Sequence, residues 1–221
     1  MERHFDEELN HLKQRLLAMA DQAQEMTGLA VRSLTERKEA LAKDVFELEQ
    51  GVNRTELEIE ELGLKLLALH QPAGSDLRFL TAVLKINNDL ERVADQATNI
   101  SEISLRLLKE PPIKSVVDIP GMAKLVQTMI KESLDAFVRH DTILAKKVCE
   151  SDDEVDHLNE KIFKELLTIM MENPKSIARA VDLILVSRNL ERIADHATNI
   201  GEEVVFIEEG RNIKHHLQEP S

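Results

Sequence analysis

The sequence predicts an all-α protein built as two tandem antiparallel three-helix bundles related by internal duplication. Three observations carry that expectation. Gly and Pro are scarce, 7 and 6 among 221 residues, where a turn-rich β protein would need many. Apolar residues recur at alternating steps of three and four over long stretches, the period of a helix. Residues 90–100, Leu-Glu-Arg-Val-Ala-Asp-Gln-Ala-Thr-Asn-Ile, return at 190–200 as Leu-Glu-Arg-Ile-Ala-Asp-His-Ala-Thr-Asn-Ile, identical at nine of eleven positions. Only a duplication accounts for that match.

The first helix follows Phe5, Leu9, Leu12, Leu16, Met19, Ala23, Met26 and Ala30, a heptad seam. After the polar Glu36-Arg37-Lys38-Glu39, a second seam passes through Val45, Leu48, Val52, Thr55, Ile59, Leu62, Leu66 and Leu69. It stops at His70-Gln71-Pro72-Ala73-Gly74, and Ser75 is placed to cap the next helix. The third seam is Phe79, Val83, Ile86, Leu90, Val93, Ala97, Ile100, Ser104 and Leu107, ending before Pro111-Pro112. Long helices joined by short turns make an antiparallel bundle.

The stretch from Glu110 to Pro120 reads as a linker. Pro120 suits a helical first turn, and Leu125, Met129, Ile130, Leu134, Phe137, Leu144 and Val148 mark a fourth, less regular helix. Ser151, three residues ahead of Glu154, reads as a capping box that opens a fifth helix through Val155, Leu158, Ile162, Leu166 and Ile169. Glu172-Asn173-Pro174 closes it. The sixth seam is Val186, Leu190, Ile193, Ala197, Ile200, Val204 and Ile207, ending at Gly210. Residues 1–110 and 118–210 are the expected bundles, and 211–221, beyond the last seam, the expected disordered tail.

Composition removes several functions. A net charge of −13 argues against a general nucleic-acid-binding surface, and the absence of Trp and Tyr removes base-stacking platforms. The single cysteine, Cys149, excludes an internal disulfide and a Cys-rich zinc site; it reads as an inert helix-face thiol in a reducing compartment. The charged start Met1-Glu2-Arg3-His4 has no apolar core of a signal peptide, and no apolar run approaches the roughly 18 residues of a membrane span. A cytoplasmic protein without membrane insertion is expected.

Packing preserves Leu90, Val93 and Ala97 as Leu190, Ile193 and Ala197. It does not explain why Glu91, Arg92, Asp95, Thr98 and Asn99 recur as Glu191, Arg192, Asp195, Thr198 and Asn199. Glu91 and Asp95 are four apart and stack on one helical face, an unfavourable pairing unless something positive compensates. In an antiparallel hairpin turning near residue 72, Glu49 lies level with Asp95 and Asn53 with Glu91. A turn near Asn173-Pro174 likewise sets Asp152 level with Asp195 and Asp156 with Glu191. The expected metal ligands are therefore Glu49, Asn53, Glu91 and Asp95 in the first half and Asp152, Asp156, Glu191 and Asp195 in the second. Only the second set is fully acidic.

Four converging carboxylates in a crevice cost several kcal/mol unless a multivalent cation neutralises them. Oxygen donors favour Mg²⁺, Ca²⁺, Mn²⁺ or iron; zinc becomes possible if a histidine joins, with His196 and His157 near in sequence. His196 sits beside its acid, which suits an outer-shell role. The plain alternative is a solvated acidic face or a set of ion pairs, common where 31% of residues are charged. Glu154-x-x-His157 and Glu8-x-x-His11 match half of a di-iron signature, but they are not repeat equivalents, and that reading is set aside. There is no Gly-rich phosphate loop, nucleophile elbow or Ser/His/Asp arrangement, so the chain is read as a non-enzyme. A metal-dependent phosphatase or oxidase using the clustered carboxylates is the competing expectation.

The doubled Leu-Glu-Arg-(Val/Ile)-Ala-Asp motif, the two tandem units and the segment Gln71-Pro72-Ala73-Gly74-Ser75-Asp76-Leu77-Arg78 together resemble the PhoU family of bacterial phosphate-signalling regulators. The resemblance spans residues 5–210. The family's metal motif, an acid, three residues and then Asp, maps onto Glu91/Asp95, Glu191/Asp195 and Asp152/Asp156; Glu49/Asn53 departs from it at Asn53. The resemblance implies an adaptor that couples a phosphate ABC transporter to a sensor histidine kinase and holds the phosphate-starvation response off when phosphate is plentiful. It also implies iron or zinc clusters on these motifs, and a homodimer.

Overall fold

The computed structural model describes residues 2–113 and 118–213. In chain order its helices are α1 (Glu2–Thr35), α2 (Glu39–His70), α3 (Gly74–Leu107), α4 (Ile119–Arg139), α5 (Thr142–Glu150), α6 (Asp152–Glu172) and α7 (Ile177–Glu209), with a 3₁₀ turn at Pro174–Ser176 between the last two. Among the described residues there is no strand. The four linker residues 114–117 lie outside the described residues, as does the expected tail from Lys214 onward.

Helices α1, α2 and α3 form the first bundle along the expected seams, except that Leu69, at the end of the second, is 65% exposed. Leu12, Leu16, Met19, Val52, Ile59, Leu66, Ile86, Leu90 and Val93 are all fully buried. Burying such side chains is the main source of helix stability here, since each is worth about 1.5–3 kcal/mol removed from water. The α2–α3 turn is tight. Gln71 is left-handed at φ 44° and its N–H returns to the Leu67 carbonyl, while Gly74 takes φ 60° at the start of α3. Ser75 is not the cap: Ala73 holds the N-cap position without a side-chain bond, and Ser75 is already helical.

The second bundle repeats the plan with one change. Its first hairpin turns at His140-Asp141, not at Ser151. His140 is left-handed at φ 58°, and its N–H reaches the Ala136 carbonyl. The Asp141 carboxylate accepts from the N–H groups of Ile143 and Leu144, both at 3.0 Å. That cap satisfies two of the orphan donors of a helix start. Ser151 stays in the right-handed helical region and makes no cap; its hydroxyl donates to the Lys147 carbonyl at 3.0 Å. The expected capping box is therefore only a break inside one long rod, α5 plus α6, which corresponds to α2. At the front of the bundle Pro120 does lie in the first turn of α4, where Asp118 accepts from Gly121 N at 2.9 Å.

The two bundles join lengthwise through α3 and α7, which run antiparallel, and the buried apolar residues of both halves form one continuous cluster. The contact is more polar than an ordinary core. Lys85 Nζ donates to both oxygens of Glu203 at 3.0 Å, and Glu203 has only 2% of its surface exposed. Arg106 reaches Asp182 at 2.8 Å. Asp89 Oδ1 receives Asn199 Nδ2 at 3.0 Å and faces His196 Nδ1 at 2.8 Å. The α7 partners Asp182, His196 and Glu203 are spaced in multiples of seven, a second stripe beside the apolar seam, with Asn199 one turn beyond His196. A buried carboxylate without its cation would cost several kcal/mol, so these pairs fix the register of one bundle on the other.

Candidate functional site

Both copies of the repeated motif lie in the middle of a long helix. Leu90, Val93 and Ala97 in α3, and Leu190, Ile193 and Ala197 in α7, are fully buried. Helical geometry then leaves Glu91 and Asp95, or Glu191 and Asp195, on the flank that overlooks the neighbouring helix of the hairpin. Two side-chain bonds report the hairpin registers. Asn87 Nδ2 donates to the Glu56 carbonyl at 3.0 Å, and Ser187 Oγ to Asn159 Oδ1 at 2.8 Å. These agree with the registers expected from the turns.

In the second half the four expected acids act on one another. Partial burial comes first, then Asp195, Asp156, Asp153 and Glu191, and together they push the Asp152 carboxyl up to about 6. Asp195 is also raised, by burial of its surroundings and by Asp156, against the opposing charges of His196 and Arg192. Among the described residues no salt bridge reaches Asp152, Asp156, Glu191 or Asp195. No described cation of the chain pairs directly with them, and only His196 and Arg192 oppose the rise at Asp195.

The first half is compensated from within. Arg92 Nε lies 3.4 Å from Glu91 Oε2, and its Nη1 lies 3.6 Å from Asp95 Oδ2. Glu91 is still raised, by burial and then by Asp95, with Arg92 opposing and Glu56 adding. Glu49 is raised by burial and by Asp95. Asn53 is exposed and offers an uncharged amide. Glu56 is an acid the sequence reasoning missed. It stands one turn beyond Asn53 on α2, and that i,i+3 spacing was the available signal.

The donor set of the second half is four anionic oxygens, which suits a hard multivalent cation. As the side chains stand, no group of three or more His, Cys, Asp and Glu among the described residues is placed to hold a metal ion. Ligation would therefore draw on rotation of Asp156 and Asp195, both of which are exposed. The first half fits less well, because a guanidinium already answers Glu91 and Asp95. Thr98 and Thr198, repeat equivalents one turn beyond Asp95 and Asp195, each carry a buried hydroxyl without a hydrogen-bond partner.

The other candidates resolve plainly. His196 is turned to Asp89 at the junction of the halves, while His157 Nδ1 lies 2.6 Å from the Asp153 carbonyl of its own helix. Glu8 is engaged by His70 at 3.0 Å and Lys65 at 3.5 Å. Cys149 is buried against α7, its thiol directed at the Thr198 carbonyl at 3.7 Å; burial first, then Glu202 and Asp152, push it up to about 12. At that value it is an inert packing thiol. Among the described residues, no helix is long and apolar enough to cross a membrane.

Comparison with known proteins follows this geometry through both halves. The sequence profile of the PhoU domain matches residues 16–104 and again 119–204. A phosphate-specific transport system accessory protein PhoU homolog of Aquifex aeolicus is 39% identical over 213 residues, covering 96% of each chain. One of Pseudomonas putida is 37% identical, over 96% of this chain and 83% of that one. The crystal structure of PhoU from Pseudomonas aeruginosa superposes with a TM-score of 0.92 at 36% identity, covering 94% of this chain and all of the other. The phosphate transport system regulatory protein PhoU from Streptococcus pneumoniae does so at 0.87 and 29%, covering 94% and 98%.

Proposed function

The chain belongs to the PhoU family, and on that premise we propose that it is an accessory regulator of phosphate-specific transport. It works as a non-enzymatic cytoplasmic adaptor between a phosphate ABC transporter and a sensor histidine kinase, and it keeps the starvation response off when phosphate is plentiful. The observation that carries the reading is the match along nearly the whole length of relatives named as accessory proteins of phosphate-specific transport, in both repeats. An adaptor needs rigid, separate faces more than a reactive centre. Two bundles joined along α3 and α7 by the Lys85–Glu203 and Arg106–Asp182 pairs provide such faces.

We further infer that the second acidic cluster holds a multivalent cation. Asp152, Asp156, Glu191 and Asp195 are the residues that would bind it. Glu49, Glu91, Asp95 and the Asn53 amide oxygen would form a weaker counterpart in the first half. The ion would supply positive charge that joins α6 to α7 and relieves the repulsion raising Asp152. Iron or zinc is the expectation from resemblance, with Mg²⁺, Mn²⁺ or Ca²⁺ suiting the same oxygens. A homodimer belongs to the same reading.

Deletion of the gene tests the regulatory role: phosphate-responsive transcription should become constitutive, and a pull-down should recover the transporter's nucleotide-binding subunit and the kinase. Unchanged transcription together with failure to bind either partner would refute it. Elemental analysis of untagged protein tests the cation. Hydrolysis of phosphate esters by the metal-loaded chain, lost on Asp195→Ala, would favour the enzyme instead.

A further inference from the structure

A cavity of about 350 Å³ lies at the end of the molecule where α1 and α3 finish and α4 and α7 begin. Its walls are apolar, with Leu34, Leu107, Ile113, Ile119 and Leu183 among them. Its charged lining residues, among the described residues, are Arg37 and Arg179. The size is at the lower end of cavities that hold small organic ligands, and a junction between two units is a common place for one. In a chain with 41 acidic and 28 basic side chains, a lining with two guanidiniums and no carboxylate runs against the rest of the surface.

Both arginines are fixed by backbone. Arg37 lies in the α1–α2 turn at φ 53°, and its Nη2 donates to the carbonyls of Leu107, Leu108 and Glu110 at 3.2, 3.0 and 2.8 Å. Arg179, in the first turn of α7, donates from Nη1 to the next carbonyl along, Pro111, at 2.7 Å. The two guanidiniums therefore stand on neighbouring peptide groups of one segment. Those carbonyls take up some hydrogens but bring no more than the partial charge of a helix end. Among the described residues no salt bridge reaches either arginine, and the acids near them in sequence are engaged elsewhere or point to solvent. Glu36 is held by Arg32 and Lys38, Asp182 by Arg106, and Asp118 caps Gly121 N; Glu110 is exposed.

The opposite end of the molecule repeats this frame with a different charge. His140, left-handed at φ 58°, occupies the α4–α5 turn as Arg37 occupies the α1–α2 turn. Arg78, near the start of α3, donates to the Ile207 carbonyl at 3.2 Å as Arg179 does to Pro111. That end brings its own anions. Glu208 Oε1 lies 2.5 Å from His140 Nδ1, and Asp6 lines the cleft beside His140. Leu108 stands at the repeat position of Glu208. One end is neutralised from within, and the other is left positive.

We propose that this cavity binds a small organic anion, its apolar body among Leu34, Leu107 and Leu183 and its oxyanion head at Arg37 and Arg179. Guanidinium forks match carboxylate and phosphate oxygens with parallel N–H groups, while the walls favour a body that sheds water. Inorganic phosphate alone would leave those walls wet, and a neutral apolar molecule would leave the two charges unanswered. None of these residues belongs to either acidic set, so the proposal is independent of the cation and of the adaptor reading.

The test is fluorescence titration of the full chain with two probes that share one apolar body. Anilinonaphthalene sulfonate carries an anionic head, and N-phenyl-naphthylamine lacks it. The sulfonate should bind at least tenfold more tightly than the neutral probe. Arg179→Gln should weaken the sulfonate fivefold or more and leave the neutral probe's affinity unchanged, which also shows that the cavity is intact. Arg179→Lys, which keeps the charge, should recover part of that loss. Ile113→Trp fills the cavity and should expel both probes. Octanoate and octyl phosphate should displace the bound sulfonate where octanol does not, and the one effective at lower concentration identifies the preferred head. Such dyes also settle on exposed apolar surface, and Leu167 and Val181 on the α6–α7 hairpin are 44 and 43% exposed. Leu167→Gln with Val181→Gln should therefore change nothing. Equal affinity for the two probes would overturn the proposal. So would an unchanged sulfonate affinity in both R37Q and R179Q, failure of both octyl anions to compete, or a loss in L167Q/V181Q that I113W does not produce.

Discussion

In the first half a guanidinium lies across Glu91 and Asp95, at 3.4 and 3.6 Å. In the second half the repeat-equivalent Arg192 forms no salt bridge with Glu191 or Asp195, and the position level with Glu191 is Asp156 where the first half has Asn53. Nearly the same eleven-residue motif, on helices of 34 and 33 residues, therefore carries two electrostatic states. One is answered from within the chain, and the other is left for something outside it. Duplication copied the backbone frame and the apolar positions, which packing constrains. It left charge compensation to residues on the facing helix and to one rotamer of one arginine.

The largest effect expected from this contrast is in cation binding. Asp152→Asn with Asp195→Asn removes two of four anionic oxygens, and Mn²⁺ affinity measured by calorimetry should fall roughly a hundredfold or more. Glu91→Gln with Asp95→Asn should change it much less. Equal losses from the two halves would erase the distinction. A gain-of-function pair sharpens it from the other side. Asn53→Asp with Arg92→Ala gives the first half four acids and no bridging cation, and a second class of sites should appear in the same titration, about tenfold weaker than the first. No new site would mean that the side-chain arrangement, and not the charge, is what the first half lacks.

How much of this was legible in the sequence follows from what each feature depends on. The seams through Leu12–Met26, Val45–Leu66 and Val83–Leu107 are local and periodic, and they survive as rows facing the core, although Leu48, Thr55 and Leu62 in the second are only half-buried. The turn at His140-Asp141 was missed because it contains neither Gly nor Pro. A left-handed His and an Asp cap do the work there, while the more conspicuous Ser151-x-x-Glu154 caps nothing. The levels of Asp152 with Asp195 and Glu49 with Asp95 could be read because hairpin register follows from turn position. The position of Arg92 over its acids could not, since a flexible side chain has no period. Nor could the polar stripe of Asp182, His196, Asn199 and Glu203, because it takes its sense from α3, a long-range partner.

A smaller effect is expected in stability against pH. Asp152 holds its proton more tightly folded, where it titrates near 6, than unfolded, where an Asp titrates near 4. The folded state therefore binds more protons between about pH 4 and pH 6, and this group's contribution makes stability fall as pH rises through that window. Asp152→Asn removes the penalty. By melting at pH 7.5 the variant should exceed the parent by on the order of 1 kcal/mol, about 2–4 °C in a chain of this size, and the advantage should vanish near pH 4. Glu49→Gln in the first half should show the same sign and a smaller gain. An advantage of D152N that persists at pH 4 would assign it to packing or helix propensity and not to the carboxylate cluster.

The smallest effect separates the halves most finely. Thr98 and Thr198 occupy the same repeat position, and both hydroxyls are buried without a hydrogen-bond partner. The Thr198 carbonyl faces the Cys149 thiol, and its hydroxyl is not among the groups that move Asp152 or Asp195, so Thr198→Val replaces a stranded polar atom by a methyl. Removing such an atom without stranding another should be neutral or stabilising by up to about 1 kcal/mol at any pH. Thr98 differs because Glu49 stands beside it. Its hydroxyl, although not in bonding geometry, favours the charged carboxylate and partly offsets the burial and the Asp95 repulsion that raise Glu49. Thr98→Val should therefore lift Glu49 further and cost a few tenths of a kcal/mol above its titration, with no cost below it. Paired melts at pH 4 and pH 8 read the difference. If both valines shift stability alike at both values, Thr98 does not sense the first acidic pair, and the two repeats are electrostatically distinct only through Arg92 and Asn53.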